Sequence, residues 1–387
     1  MNNSVSRIGI LGGGQLARMS LPAARKLGIS VTVLDPTPDC PAAQAGANQI
    51  TSSYINPHAI HQLAAVSDVL TVELEHVDAE TLTALAAEGK AVIPRPDVLQ
   101  IIQNKFRQKQ VLAEAGVPVA QAYRVSSVAE IQRYFGELGS PIHLKAAFGS
   151  YDGKGNYVVR TPEDAREGWN ALNGDNRELY VEQDVPFIKE LAMMAVSRKG
   201  GKATQLYPLV ETVHENNICH LVMAPAMVTE DVRKKAEMIV QQVLQALGSS
   251  GIYGIELFFL EAKDGAPSIL VNEIAPRPHN SGHYTIEACQ TSQFENFLRV
   301  VSGKELGSSS LRASVKAATM INILGDREGS VETQGIDEVS KWPGVTVHLY
   351  GKQTVKPGRK MGHITVCAES VERSRQIAQE ARSHIII

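Results

Sequence analysis

Residues 7–20, "RIGILGGGQLARMS", read as an apolar strand, a glycine turn and the start of a helix, and "VTVLD" follows as a second apolar strand. Few local patterns constrain a fold more. A strand that returns beside its predecessor after a helical crossover makes a parallel sheet, and both faces of such a sheet need covering. The alternation continues. "SDVLTVELEHVD" (67–78) reads as a strand with a carboxylate-rich end, and "KAVIPR" (90–95) as another. An α/β fold opening on a parallel-sheet domain is expected, ending near residue 104. Gly12, Gly14 and Ala17 fit G-x-G-x-x-A, and Asp35 stands where an acidic residue would hold an adenosine ribose. Three readings of the turn stay open. It is an NAD site, a tight turn that any such domain needs, or a helix N-terminus whose N–H groups hold a substrate's phosphate.

The text after residue 104 changes character. "QNKFRQKQVLAEAG" (103–116) reads as one helix closed by Gly116 and Pro118. "PIHLKAAF", "NYVVR", "ELYVEQDV" and "KELAMMAVSR" read as strands. "YGIELFFLEAKDGAPSILVNEIAPRP" reads as a hairpin around Asp264-Gly265. From about residue 304, "ASVKAATMINILG" and "VTVHLYGK" read as strands and "ERSRQIAQEARSHI" as a helix. Three domains, 1–104, 105–303 and 304–387, are expected in one body, without internal repeats.

Composition excludes several classes of partner. The net charge of −3 gives no electrostatic case for nucleic acid. No apolar run approaches the length of a membrane span, and Arg7 interrupts the N-terminus early, so neither a span nor a signal peptide is expected. Cys40, Cys219, Cys289 and Cys367 form no C-x-x-C and read as reduced thiols of a cytoplasmic protein.

Five segments carry chemistry beyond the opening turn or complement it. Lys145 precedes a loop with Gly149, Gly153, Lys154 and Gly155, which is either a flap over a triphosphate or a plain glycine hairpin. "VEQDVPFIKEL" is either an acidic hinge for a purine base, with Glu190 for ribose hydroxyls, or a solvated strand end. Glu256 lies within one apolar strand and Glu273 ends the next, beside Asn272. Carboxylates on buried strands are costly unless paired or bound to metal. The two suit Mg²⁺ bridging nucleotide phosphates, or one of them pairs with Arg277. The polar text after this hairpin offers Arg277, His279, Asn280 and His283 to a shared cleft. Lys352, Lys356, Arg359 and Lys360 form either a solvated basic turn or a site for a compact dianion such as a ribose phosphate.

Together these segments resemble the ATP-grasp superfamily, and within it the N5-carboxyaminoimidazole ribonucleotide synthetase family of purine biosynthesis. The resemblance is carried by "GILGGGQLARM", "TVLDP", "TVELEHVD", "YDGKGN", "YPLVETVHENNI", "VNEIAPRPHNSGHYTIEACQTSQFE" and "GRKMGHI", over almost the whole chain. Ala17 and the stretch Ala146–Phe148 depart from the family pattern. "LEHVD" and "YDGKGN" are most similar to the fungal form, in which a mutase domain follows; no mutase activity is expected from residues 1–387.

The resemblance implies an ATP-grasp fold with a Rossmann-like first domain and a small C-terminal α+β domain. It implies ATP, Mg²⁺, bicarbonate and 5-aminoimidazole ribonucleotide as ligands, and a homodimer. Lys105, Lys145 and the loop Ser150, Tyr151, Asp152, Gly153, Lys154, Gly155 and Asn156 would hold the ATP phosphates. Glu182, Gln183, Asp184 and Val185 would receive adenine, Glu190 the ribose, and His214 would approach the nucleotide. Glu256 and Glu273, with Asn272, would bind Mg²⁺. Arg277 would meet bicarbonate. Glu73, Tyr151 and Asp152 would face the ribonucleotide, with Asp152 taking the amine proton. Gly14, Gln15 and Leu16 would give N–H groups to its phosphate, helped by Lys352, Arg359 and Lys360. The alternatives are a sibling ATP-grasp ligase, such as a formate-dependent glycinamide ribonucleotide transformylase, an NAD oxidoreductase, or an inactive nucleotide-binding module.

Overall fold

The computed structural model describes residues 5–149, 155–198, 202–261 and 268–387, with the side chains of 202–204 left aside. The first part is a five-stranded parallel sheet. Its order in space is Asn48–Thr51, Ser30–Asp35, Arg7–Leu11, Val69–Val72, Ala91–Val92. Strand order reverses between Arg7–Leu11 and Val69–Val72. The carboxyl ends of those two strands therefore open a crevice, where an open α/β sheet takes its ligand. Ile8, Ile10, Val31 and Val33 bury one side of this sheet against the helix Gln15–Leu27. Gly28, in the left-handed region at φ 67°, ends that helix.

The expected helix over 103–116 runs Lys105–Glu114, and a separate helix, Pro96–Gln103, precedes it. Asn104 breaks them, because its side chain accepts the Arg107 N–H and caps the second helix. Lys105 N–H donates to the carbonyl of Ala147 (2.8 Å), which fixes this helix start to the end of the strand Ile142–Ala146. Ala146 and Ala147 are fully buried there, so the departure at 146–147 belongs to packing, while Phe148 is half exposed.

Beyond residue 121 lie two further large sheets. A four-stranded antiparallel sheet runs Ala122–Val125, Leu179–Gln183, Ile142–Ala146, Asn156–Val159. The larger sheet runs Ser268–Ala275, Gly251–Leu260, Lys189–Arg198, Val210–Glu215, Ile218–Ala224, Ala317–Leu324, Lys360–Ala368, Val345–Leu349, with Lys202–Leu206 beside Lys189–Arg198. The pairing of Ala317–Leu324 with Ile218–Ala224 makes the C-terminal strands a continuation of the central sheet. The hairpin at 210–224 turns on Asn216 and Asn217, both with positive φ (50° and 62°), as a tight two-residue turn requires. No helix among the described residues is long and apolar enough to cross a membrane.

Candidate active site

A cleft of about 780 Å³ lies where the three sheets meet. Gly14–Leu16 and Glu73–His76 line it from the first sheet. Lys145 and Glu182–Val185 line it from the second. Glu190, His214, Glu256, Asn272, Glu273 and Lys360 line it from the third, with Arg277, His279, Asn280 and His283 following.

The expected carboxylate hairpin forms the cleft floor. Glu256 and Glu273 are register partners on antiparallel strands. A bulge follows directly, since the next pair is Leu257 with Val271. Two residues, Asn272 and Glu273, thus oppose one, and both side chains turn to the cleft instead of alternating across the sheet. Asn272 Nδ2 lies 3.4 Å from Glu256 Oε2. Burial, then the nearby charge of Glu273, pushes the Glu256 carboxyl up to about 7. Lys105 Nζ reaches Glu273 Oε1 at 2.5 Å, and His279 Nε2 stands 3.6 Å from Glu256 Oε1.

The lysines are set on acids. Lys145 Nζ donates to Glu182 Oε1 (2.8 Å), and Lys109 Nζ stands 3.0 Å from Glu182 Oε2. Burial would raise Glu182, but Lys109 and Lys145 outweigh it and hold the carboxyl down at about 2. Lys109 was not anticipated from the sequence. Its signal is a lysine on the otherwise buried face of the helix Lys105–Glu114, beside Phe106 and Leu112. His214 Nδ1 and Glu190 Oε2 lie 2.7 Å apart, and His143 Nε2 meets Asp184 Oδ1 at 2.7 Å.

The opening glycine turn is satisfied from within the chain. Gly12 N–H donates to Leu34 O (2.9 Å), Gly13 N–H to Asp35 Oδ2 (2.9 Å) and Gly14 N–H to Glu73 Oε1. Glu73 Oε2 also accepts Ala17 N–H (2.7 Å). Asp35 accepts Thr37 N–H as well (2.8 Å), so its carboxylate holds the turn and does not stand free for a ribose. Gly14 N–H thus meets the Glu73 carboxylate, and Gly14, Gln15 and Leu16 all line the cleft. Glu73 is seated on the helix N-terminus, where burial raises its carboxyl and the Gly14 and Ala17 N–H groups lower it.

Arg277 binds Glu75 (2.9 Å), a second acid that was not anticipated, although "ELEHVD" contains it. Gln103 pins the Glu75 segment through the carbonyls of Glu75 and Val77. The Arg277 Nε is buried and has no hydrogen-bond partner among the described residues. A guanidinium held by one face with an unmet donor on another suits a small oxyanion.

The basic turn only partly joins the cleft. Lys360 lines it. Lys352 Nζ donates to Lys360 O (2.6 Å), and Arg359 turns away to Thr354 O and Oγ1 (2.8 and 2.7 Å). Neither is a lining residue: Lys360 opens the strand Lys360–Ala368 and reaches the cleft, whereas Arg359 lies just before that strand. Ser150, Tyr151, Asp152, Gly153 and Lys154 lie outside the described residues. Gly155, at φ 87°, accepts Ala146 N–H, and Asn156 lines the cleft.

Three families of known domains match the chain in order. They are the ribonucleotide synthetase preATP-grasp domain at residues 5–103, the ATP-grasp domain at 110–294 and the phosphoribosylaminoimidazole carboxylase C-terminal domain at 318–377. The N5-carboxyaminoimidazole ribonucleotide synthase of Synechococcus elongatus is 36% identical over 96% of this chain and 93% of its own. The chain belongs to the N5-carboxyaminoimidazole ribonucleotide synthase family.

Members of this synthase family are ATP-grasp, ATP-dependent ligases of purine biosynthesis. The phosphoribosylaminoimidazole carboxylase of Ogataea methanolica is 43% identical over 94% of this chain, and the chain spans about two thirds (67%) of that relative's length. The synthase from Aspergillus clavatus has been solved with ATP, and with ADP and 5-aminoimidazole ribonucleotide. Both structures are 36% identical, cover 98% of each chain and superpose with a TM-score of 0.87. Membership of the synthase family sets aside the NAD oxidoreductase reading.

Proposed function

We propose that this chain carboxylates 5-aminoimidazole ribonucleotide with bicarbonate at the expense of ATP, giving N5-carboxyaminoimidazole ribonucleotide, ADP and phosphate. The observation that carries this reading is the facing pair Glu256–Glu273, beside Lys105 and within the same cleft as Arg277 and the Glu73 crevice.

The donor set fits a metal that arrives with a nucleotide. Among the described residues no group of three or more His, Cys, Asp or Glu could hold an ion. Two carboxylates and the Asn272 amide match Mg²⁺, which takes one or two protein carboxylates and fills its remaining positions with phosphate and water. When bound, the ion would withdraw charge from the transferring phosphoryl group.

The chain's own groups supply the rest. Lys105 and Lys145, with Asn156 and the loop 150–155, hold the ATP phosphates, the lysines neutralising their charge. Residues 182–185 receive the adenine edge, and Glu190, backed by His214, the ribose hydroxyls. Arg277 holds bicarbonate, whose oxygen attacks the γ-phosphorus and displaces ADP. The resulting carboxyphosphate hydrolyses readily, so the cleft must exclude water until the amine is seated. The amine nitrogen then bonds to the carboxyl carbon, inorganic phosphate leaves, and Asp152 takes the amine proton. Glu73, Gln15, Leu16, Tyr151 and Lys360 hold the ribonucleotide. We further infer a cytoplasmic homodimer.

The test is ADP release from Mg-ATP with and without the ribonucleotide and bicarbonate. Stimulation by the ribonucleotide that disappears when bicarbonate is stripped is the expected result. Stimulation by formate with glycinamide ribonucleotide instead would overturn it.

A further inference from the structure

This inference rests on the reading of the cleft as an ATP site and concerns a lysine that stands behind its wall. Lys145 and Glu182 line the cleft, and Lys109 does not. Lys145 is carried by the strand Ile142–Ala146, where its register partners are Tyr180 and the cleft residue Asn156. Lys109 is carried by the helix Lys105–Glu114. The two ammonium groups meet one carboxylate at different oxygens. Lys145 Nζ stands 2.8 Å from Glu182 Oε1, and Lys109 Nζ 3.0 Å from Oε2. The side chains of Lys109 and Glu182 are 7% and 3% exposed, against 18% for Lys145, so only Lys145 is within reach of a ligand.

The helix that carries Lys109 is fastened on two sides. Lys105 N–H donates to Ala147 O (2.8 Å), just past the strand that carries Lys145. Gln108 Oε1 accepts Ile274 N–H (3.2 Å) from the carboxylate hairpin. Lys109 follows Gln108 directly, so its ammonium is held in place, whereas Lys145 has a flexible stem that faces the cleft. Two ammonium groups on one carboxylate leave one positive charge in excess. A phosphate entering the cleft meets that excess at Lys145. Were Lys145 the sole partner of Glu182, its departure would strand a buried carboxylate, which is strongly unfavourable.

The geometry points to Lys109 as the resident counter-ion of Glu182, which releases Lys145 from that carboxylate to the phosphates of the nucleotide. Lys109 is a positioning residue: it acts on Lys145 through Glu182 and meets no ligand itself. Its loss should therefore be felt by the phosphates of a nucleotide and not by the nucleoside.

Calorimetric titration of the chain with Mg-ATP and with adenosine tests this without any carboxylation step. Lys109→Met should lower the ATP-to-adenosine affinity ratio about tenfold or more, because Lys145 stays on Glu182. Glu182→Gln added to Lys109→Met removes the charge that needs a partner and should recover most of the ratio. A Lys109→Met chain that weakens ATP and adenosine equally, or neither, would overturn the inference and leave Lys109 a purely structural group, and so would a double variant no better than Lys109→Met. Should Lys109→Met not fold, the structure of the unsubstituted chain with Mg-ADP decides. Lys145 Nζ on a phosphate oxygen, with Lys109 Nζ still on Glu182, is the expected result. Lys145 Nζ kept by Glu182 and away from the phosphates would overturn it. Failure of the unsubstituted chain to bind Mg-ATP would overturn both this inference and the reading beneath it.

Discussion

Glu256 and Glu273 face each other as register partners immediately before a bulge, and the bulge turns Asn272 toward them. Two carboxylates so placed repel unless a cation or a proton intervenes. Glu256→Gln and Glu273→Gln should each lower ribonucleotide-stimulated ADP release at least about a hundredfold, the scale on which phosphoryl transfer depends on charge stabilisation. Glu256→Gln should keep or raise the melting temperature measured without nucleotide, because the repulsion is gone. A lower melting temperature would mean that Glu256 is a structural group.

Lys109 and Lys145 enclose Glu182, and all three are largely buried. Removing one partner leaves a buried charge short of compensation. Lys109→Met should therefore cost about 3 kcal/mol in urea unfolding near neutral pH. The pH sign follows from the depressed Glu182 carboxyl, held at about 2. Its contribution is present above the ordinary carboxylate range and is lost as pH falls from about 4.5 toward 2. In Lys109→Met the depression of the carboxyl shrinks, so the loss between pH 7 and pH 3 should be smaller. Urea midpoints between pH 7 and pH 3 check both.

Gly12 sits at φ 101°, and a Cβ there would come within 2.4 Å of Glu73 Cγ. Gly12→Ala should destabilise the first domain by about 2 kcal/mol or more, by strain and by displacing Glu73 from Gly14 and Ala17. Glu73→Gln keeps one acceptor but adds an N–H where donors already point. It should raise the KM for the ribonucleotide more than that for ATP, which steady-state kinetics would separate.

Each carboxylate oxygen of Asp35 already accepts an N–H, from Gly13 and from Thr37. Saturating Mg-ATP should raise the melting temperature by several degrees, while NADH should leave it unchanged. Protection by NADH would reopen the dinucleotide reading of the glycine turn.

The sequence by itself determined the local grammar. The strand–glycine–helix opening, the antiparallel pairing of the two carboxylate strands and the apolar periodicity of the parallel sheet follow from φ freedom, side-chain alternation and the cost of buried charge. Each of these acts within a few residues or across one turn. The family resemblance extended that reading to most of the cleft. Only the tertiary structure decided which acceptor each donor meets. Glu73 takes Gly14 and Ala17, Asp35 takes Gly13, Lys109 reaches Glu182, and Arg277 reaches Glu75, over separations of 22 to 202 residues. The inward turn of Lys360 and the outward turn of Arg359 were decided there too. Spacing along a chain does not encode such pairings. They arise where sheets from different parts of the chain close on one cleft, and each buried polar group must find the partner that this closure brings within reach.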